Sequence, residues 1–178
     1  MKALVLLATG FEEIEAVAPV DILRRAGVEV EVVSTTGDKV VVGAHAVPFV
    51  ADVLLEAADH GADLVVLPGG IPGTPNLEAN PAVIKLIEEF KAAGKFVAAI
   101  CAAPMILGHL GYLEGGDFTC YPGCESGLKG KYTTNKTAVN GKVLTGKGPG
   151  AAIDFGLLLV EKLVNKAKAD ELKAALQY

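Results

Sequence analysis

Three short stretches of the chain are apolar from end to end: Ala3 to Ala8, Leu64 to Leu67 and Phe96 to Ile100. A strand with one face in water alternates apolar and polar side chains, so runs without alternation predict strands buried on both faces. Each run ends abruptly, at Thr9-Gly10, at Pro68-Gly69-Gly70 and at Cys101, and segments with helical spacing lie between them. This order predicts right-handed βαβ crossovers and an α/β fold with a doubly wound, mostly parallel sheet covered by helices on both faces. Ligands of such sheets bind beyond the carboxyl ends of the strands. The positions to inspect are therefore the strand exits, namely Thr9-Gly10, Pro68-Gly69-Gly70, Cys101 and Gly146 to Gly150.

The remaining elements follow from caps and breakers. Strand one is expected over Lys2 to Ala8. Glu12-Glu13 open a helix that runs to Ala26, with acidic residues at its positive end and Gly27 at its stop. Strand two spans Val28 to Thr35, and Val40 to Val50 reads as a β ribbon interrupted by Gly43 and Pro48. A short helical stretch over Val53 to Ala58 precedes Leu64 to Leu67, and a loop rich in Pro and Gly reaches Pro75. Helices are expected over Pro81 to Ala93, Ala102 to Leu110, Ala151 to Val164 and Ala169 to Leu176. Later strands are expected at Asp117 to Cys120 and Val139 to Thr145, the latter bent at Asn140-Gly141. No repeat or linker interrupts the pattern, so residues 1–178 are expected to form a single domain, whose folding buries roughly 70% of the unfolded surface.

Composition excludes several classes. The net charge of -5 comes without a basic block, which removes the footprint of a nucleic-acid binder. No apolar run approaches the roughly 18 residues of a membrane span, and Met1-Lys2 runs straight into a strand without a signal-peptide pattern. The expected location is the cytoplasm. Three cysteines, Cys101, Cys120 and Cys124, are an odd number for a disulfide framework and are expected as thiols. Cys120 and Cys124 have no histidine nearby, phosphate-loop and dinucleotide fingerprints are absent, and neither a metal nor a cofactor is expected.

Cys101 follows the strand FVAAI and precedes Ala102, Ala103 and Pro104, small residues and a first-turn proline. That is the pattern of a nucleophile elbow, in which a tight turn projects the side chain beyond the sheet. A buried structural cysteine is the competing reading, and the elbow context favours the nucleophile. Glu15 lies with Ala18, Ile22 and Ala26 on one helical face, a single carboxyl on an apolar stripe, while Pro19 cannot donate to its carbonyl. Periodicity alone leaves a solvated glutamate equally open, and Glu12 and Glu13 read as caps. A helix N-terminus favours thiolate, and adjacent like charges repel. The arrangement expected is thus a protonated Glu15 donating to a Cys101 thiolate. Gly69 and Gly70, with the amide of Ala102, suit an oxyanion hole, against the plainer reading of a turn. Gly148-Pro149-Gly150 reads as a close-approach turn. His45, His60 and His109 fall on separate elements, so no Cys-His pair is indicated.

The segments LLATGFEEIEAVAPVDILRRAG, DLVVLPGG, AAICAAP and TGKGPGAAIDF together closely resemble the ThiJ/PfpI superfamily, in the branch of the parkinsonism-associated deglycase and its bacterial relatives. The resemblance implies a flavodoxin-like sheet, a homodimer with sites near the interface, Cys101 as nucleophile, Glu15 as its acid and Gly70 as the amide-bearing glycine. It also implies cofactor-free conversion of methylglyoxal and related 2-oxoaldehydes to 2-hydroxy acids, or deglycase chemistry, in carbonyl and oxidative stress defence. The alternative it carries is redox-sensing or chaperone-like protection through oxidation of Cys101; proteolysis belongs to another branch. Two departures stand out: Tyr121-Pro122 replaces a histidine before proline beside the site, and His45 stands where relatives send an arginine across the dimer.

Overall fold

The apolar runs become the centre of a sheet in the computed structural model, which describes residues 1–178. In chain order the first half contains β1 (Lys2–Leu7), α1 (Glu13–Arg25), β2 (Glu29–Ser34), β3 (Val40–Val42), β4 (Pro48–Val50), β5 (Val53–Leu54), β6 (Leu64–Leu67), α2 (Gly73–Glu78) and α3 (Pro81–Ala92). The second half contains β7 (Phe96–Ile100), α4 (Pro104–His109), β8 (Asp117–Phe118), β9 (Lys131–Tyr132), β10 (Thr137–Asn140), β11 (Val143–Gly146), α5 (Ala152–Leu163) and α6 (Lys166–Ala175). Seven strands form the main sheet in the order β10-β11-β7-β6-β1-β2-β5. All neighbours are parallel except the hairpin of β10 and β11.

Burial on both faces explains the lack of alternation. Along β1, Ala3, Val5 and Leu7 face a core shared with Ile22 and Leu23 of α1 and Phe155 and Leu159 of α5. Leu4 and Leu6 face the other, with Leu86 and Phe90 of α3 and Ile106 and Leu107 of α4. From β1 the chain winds outward to β2 on one side and later to β6 on the other, so the strand order reverses between β1 and β6. The crevice at such a reversal is where doubly wound sheets place ligands.

Several expectations are corrected. Val53–Leu54 is not helical but an edge strand pairing with Val33 and Ser34, followed by a single tight turn over Leu55–Ala57. Two residues are too short to show a strand period. The Pro-Gly loop contains α2, whose Pro75 falls in the first turn, where a missing N–H breaks no helical bond. The strand expected at Asp117 to Cys120 stops at Phe118 and pairs in parallel with β9, for which no apolar run exists. Helix α4 begins at Pro104 rather than Ala102, and α6 begins at Lys166, where Asn165 Oδ1 accepts the Lys168 N–H at 2.8 Å. The ribbon over 40–50 is a hairpin with Val42 opposite Pro48. No helix is long and apolar enough to cross a membrane.

Phe90 is 1% exposed in the α3 face of the core. Truncation to Ala should lower the unfolding free energy by about 3–5 kcal/mol. Urea unfolding should show an earlier midpoint with an unchanged slope.

Candidate active site

Four strand exits meet at one place. The Glu12 N–H donates to the Gly69 carbonyl at 2.9 Å, tying the exit of β1 to that of β6. The Cys101 N–H donates to the Gly146 carbonyl at 2.9 Å, and its own carbonyl accepts the Tyr121 N–H at 2.8 Å, tying the exit of β7 to that of β11 and to the loop beyond β8. Cys101 adopts a φ of 66°, the left-handed region that a residue with a Cβ enters only at a cost of about 1–3 kcal/mol. The elbow geometry anticipated at Cys101 is therefore present, and its sulfur-bearing residue keeps 9% exposure.

Glu15 comes up to this elbow from the first turn of α1 and is completely buried. Its backbone N–H donates to Glu12 Oε2 at 2.8 Å, so Glu12 caps the helix as expected. Glu15 Oε2 accepts the Gly69 N–H at 2.9 Å. Glu15 Oε1 has no hydrogen-bond partner, and the neighbouring Cys101 thiol acts on the carboxyl's charge. Gly69 makes that contact possible: a Cβ there would lie 2.7 Å from Cys101 Cβ and 2.7 Å from Glu15 Oε2. Gly70 is equally constrained, with a φ of 96° and with the Glu12 nitrogen and Gly10 oxygen each 2.5 Å from where a Cβ would stand.

The electrostatics follow from burial. Burial pushes the Glu15 carboxyl up to about 7, the neighbouring Glu12 charge adds to the rise, and the thiol and the Gly69 amide pull it back. Burial also pushes the Cys101 thiol up, reinforced by the charge of Glu15 and the hydrogen bond to it; the amides of Ala102 and Gly70 act in the opposite direction. The carboxyl thus moves as expected and the thiol does not. The reason is that burial and the adjacent Glu15 charge outweigh the two local amides at the sulfur. Ionising either member raises the other, so the two titrate as a coupled pair.

Other candidates are more distant. Tyr121 reaches Cys101 through its backbone, while its ring is exposed and covers Gly148. His45 pairs with Glu13 of its own chain, Nδ1 lying 2.8 Å from Glu13 Oε2, and its amide donates to Glu13 Oε1 at 2.7 Å. Those hydrogen bonds raise His45 and, against the effect of burial, hold Glu13 below the usual carboxylate range. The donor atoms of Glu12, Glu13 and His45 lie within 4.8 Å of one another, but Glu13 and His45 already satisfy each other as an ion pair. Burial pushes the Cys120 thiol up to about 12, helped by the charges of Cys124 and Glu125, and Cys124 is raised for the same reason.

Residues 1–162 match the DJ-1/PfpI family. The chain belongs to that family. It is 37% identical to the Parkinson disease protein 7 homolog of Danio rerio, covering 98% of this chain and 96% of that protein. It is 33% identical to a glutathione-independent glyoxalase of Caenorhabditis elegans, covering 90% and 87%. Against Protein DJ-1 homolog B of Arabidopsis thaliana, 38% identical, the chain spans 41% of the relative's length. A crystal structure of a cysteine-to-alanine mutant of a DJ-1 superfamily protein from Salmonella typhimurium superposes with a TM-score of 0.93 at 38% identity, covering 99% of this chain and 98% of that one. The doubly wound sheet read from the strand pattern, in the flavodoxin-like form that the resemblance implied, is thus the fold of these relatives.

Sequence reasoning took Glu12 only as a cap, whereas it is also a buried charge acting on Glu15. It passed over Lys147, which lies within the Gly146 to Gly150 exit and stands with Lys136 and Tyr121 around a cavity of about 300 Å³. An ionisable residue inside a strand exit was the available signal.

The raised Glu15 carboxyl has a consequence for stability. Its folded value of about 7 lies above the ordinary 4.5, so the folded state binds the proton more tightly. The contribution is fully present below about pH 4.5 and is lost as pH rises toward 7. The stability difference between wild type and Glu15→Gln, measured by urea unfolding across this range, should fall with increasing pH; a pH-independent difference would contradict the assignment.

Proposed function

We propose that this chain is a cofactor-free, cysteine-dependent enzyme that converts methylglyoxal and related 2-oxoaldehydes to 2-hydroxy acids. The observation that carries this reading is the fully buried Glu15 carboxyl, brought near neutrality and into contact with the thiol of a left-handed Cys101. Such a pair can pass a proton in either direction close to pH 7. The C. elegans relative named as a glutathione-independent glyoxalase supports the same reading.

The ionised Glu15 takes the thiol proton as Cys101 Sγ bonds to the aldehyde carbon, and the amides of Gly70 and Ala102 receive the developing oxyanion. Return of the proton to that oxygen leaves a hemithioacetal and restores the carboxylate. Glu15 then removes the proton from the former aldehyde carbon and delivers it to the adjacent keto carbon through an enediol, while the hemithioacetal hydroxyl proton passes to the keto oxygen. The product of that transfer is a thioester of a 2-hydroxy acid. Water cleaves the carbon–sulfur bond, releasing the acid and regenerating the thiol. One carbon is oxidised and its neighbour reduced, so no external oxidant or reductant enters, and the net reactants are the 2-oxoaldehyde and one water.

We further propose a homodimer built on the exposed face of α1. Ile14 and Val17 are 56% and 45% exposed, and with Ala18, Ile22, Ile153 and Leu176 they line an apolar groove of about 430 Å³. Contiguous exposed apolar surface of this kind marks association sites. Val17→Asp should shift the protein toward half its mass in light scattering; an unchanged mass for a dimeric wild type would remove this face from the interface.

Methylglyoxal loss and lactate formation should be followed for wild type, Cys101→Ala and Glu15→Gln. Cys101→Ala should be inactive and Glu15→Gln should lose roughly 10²–10⁴-fold in kcat. Equal rates in all three would overturn the mechanism. Sulfinate forming selectively on Cys101 under graded peroxide, with no lactate from wild type, would select redox sensing instead.

A further inference from the structure

We infer that the cavity walled by Tyr121, Lys147 and Pro149 is a subsite for a short substrate tail ending in a carboxylate, so that the preferred substrates are acidic 2-oxoaldehydes. This inference rests on the glyoxalase reading and assigns its substrate class.

Placement comes first. Tyr121 donates its N–H to the Cys101 carbonyl, and Lys147 directly follows Gly146, whose carbonyl accepts the Cys101 N–H. The cavity walls therefore bracket the elbow on both of its backbone hydrogen bonds. Its volume of about 300 Å³ beside the elbow is enough for a short tail.

Charge comes second. Two lysines enter the cavity. Lys136 Nζ is already neutralised, 2.9 Å from Asp154 Oδ2, and it donates to the Tyr178 hydroxyl at 2.8 Å. Lys147 Nζ donates only to the Thr134 carbonyl, at 3.3 Å, and is paired with no carboxylate. The subsite thus offers one uncompensated positive charge on a half-buried stem, beside the aromatic face of Tyr121. One cation matches a monoanionic carboxylate, whereas a dianionic phosphate would leave a negative charge unbalanced.

The opposite side of the mouth reinforces the direction. Pro149 also borders a second cavity, of about 470 Å³, lined by Glu12, Glu13 and His45. Two glutamates there face one histidine, so an anionic tail is repelled from that side and drawn toward Lys147. In a chain of net charge -5, this local cation is what admits an acidic substrate at all.

The test compares 4,5-dioxovalerate with 2-oxopentanal, which have the same chain length with and without a terminal carboxylate. In wild type the kcat/KM ratio should favour the acid by roughly two- to fivefold, the size of one partly exposed charge pair, and high salt should erode it. Lys147→Gln should abolish the preference and Lys147→Arg should retain it. Conversion of methylglyoxal with no preference for the acid, or a preference that survives Lys147→Gln, would overturn the subsite. Failure to convert methylglyoxal would overturn the glyoxalase reading instead. The subsite would then be tested without turnover, by alkylation of Cys101 followed by mass spectrometry. A maleimide with a carboxypropyl tail should outpace one with a propyl tail in wild type but not in Lys147→Gln, and equal ratios in the two proteins would refute it.

Discussion

The carboxyl of Glu15 has no exposure, one amide donor and a thiol for company, and the rest of the site is arranged around that contact. It exists because residue 69 has no side chain. Any Cβ there would wedge between the cysteine and the carboxyl, and the exit of β6 would hold the exits of β1 and β7 apart. With the wedge absent, a buried acid is left with only part of its hydrogen-bonding capacity filled by the backbone. Burial of that kind disfavours the charged form, and the neighbouring Glu12 charge disfavours it further. A proton is consequently kept available at the elbow near neutral pH, where an ordinary surface glutamate would have lost it.

The sheet supplies the rigidity this contact needs. Cys101 holds a left-handed conformation that an unrestrained chain would leave, and it is fixed by hydrogen bonds to Gly146 on one side and Tyr121 on the other. Gly146 is itself anchored in β11, parallel to β7, and both strands are buried by helices packed on the sheet. Strain of about 1–3 kcal/mol survives at one residue because its neighbours over-determine the position. The doubly buried strands visible as unbroken apolar runs are therefore part of the catalytic argument as well as of stability.

Those runs, and the breakers after them, made the centre of the fold legible. Strands β1, β6 and β7 and the exits at Gly69 and Cys101 fell where continuous hydrophobicity stopped. The edges were less legible for a physical reason: Val53–Leu54 and Lys131–Tyr132 are strands because a neighbour offers hydrogen bonds, not because two residues carry a period. In the site, the strand-to-helix setting singled out Cys101, whereas periodicity left Glu15 open between a solvated carboxyl and one turned to the elbow. Their relative charge was not legible. That depended on how deeply the folded chain buries the pair and on the Glu15 charge beside the thiol. Lys147 was visible as an ionisable residue in a strand exit but not as an unpaired one, because its lack of an acidic partner is a property of three-dimensional neighbours, including the capture of Asp154 by Lys136.

A thiol raised by burial is compatible with nucleophilic catalysis, and the geometry explains how. A preformed thiolate gains population by lowering its pKa but loses intrinsic nucleophilicity as it does so. In the proposed reaction the ionised carboxylate that raises the thiol is also the base that takes its proton, so deprotonation is confined to the moment of attack. The amides of Gly70 and Ala102, which only partly offset burial at the resting sulfur, are then opposed by a fuller charge on the substrate oxygen as the carbon–sulfur bond forms. Interactions that are weak in the resting pair and strong in the addition step lower the barrier, whereas equal stabilisation of both would not. Under the proposed mechanism the upward shift at Cys101 is the ground-state counterpart of donors directed at charge that appears only during reaction.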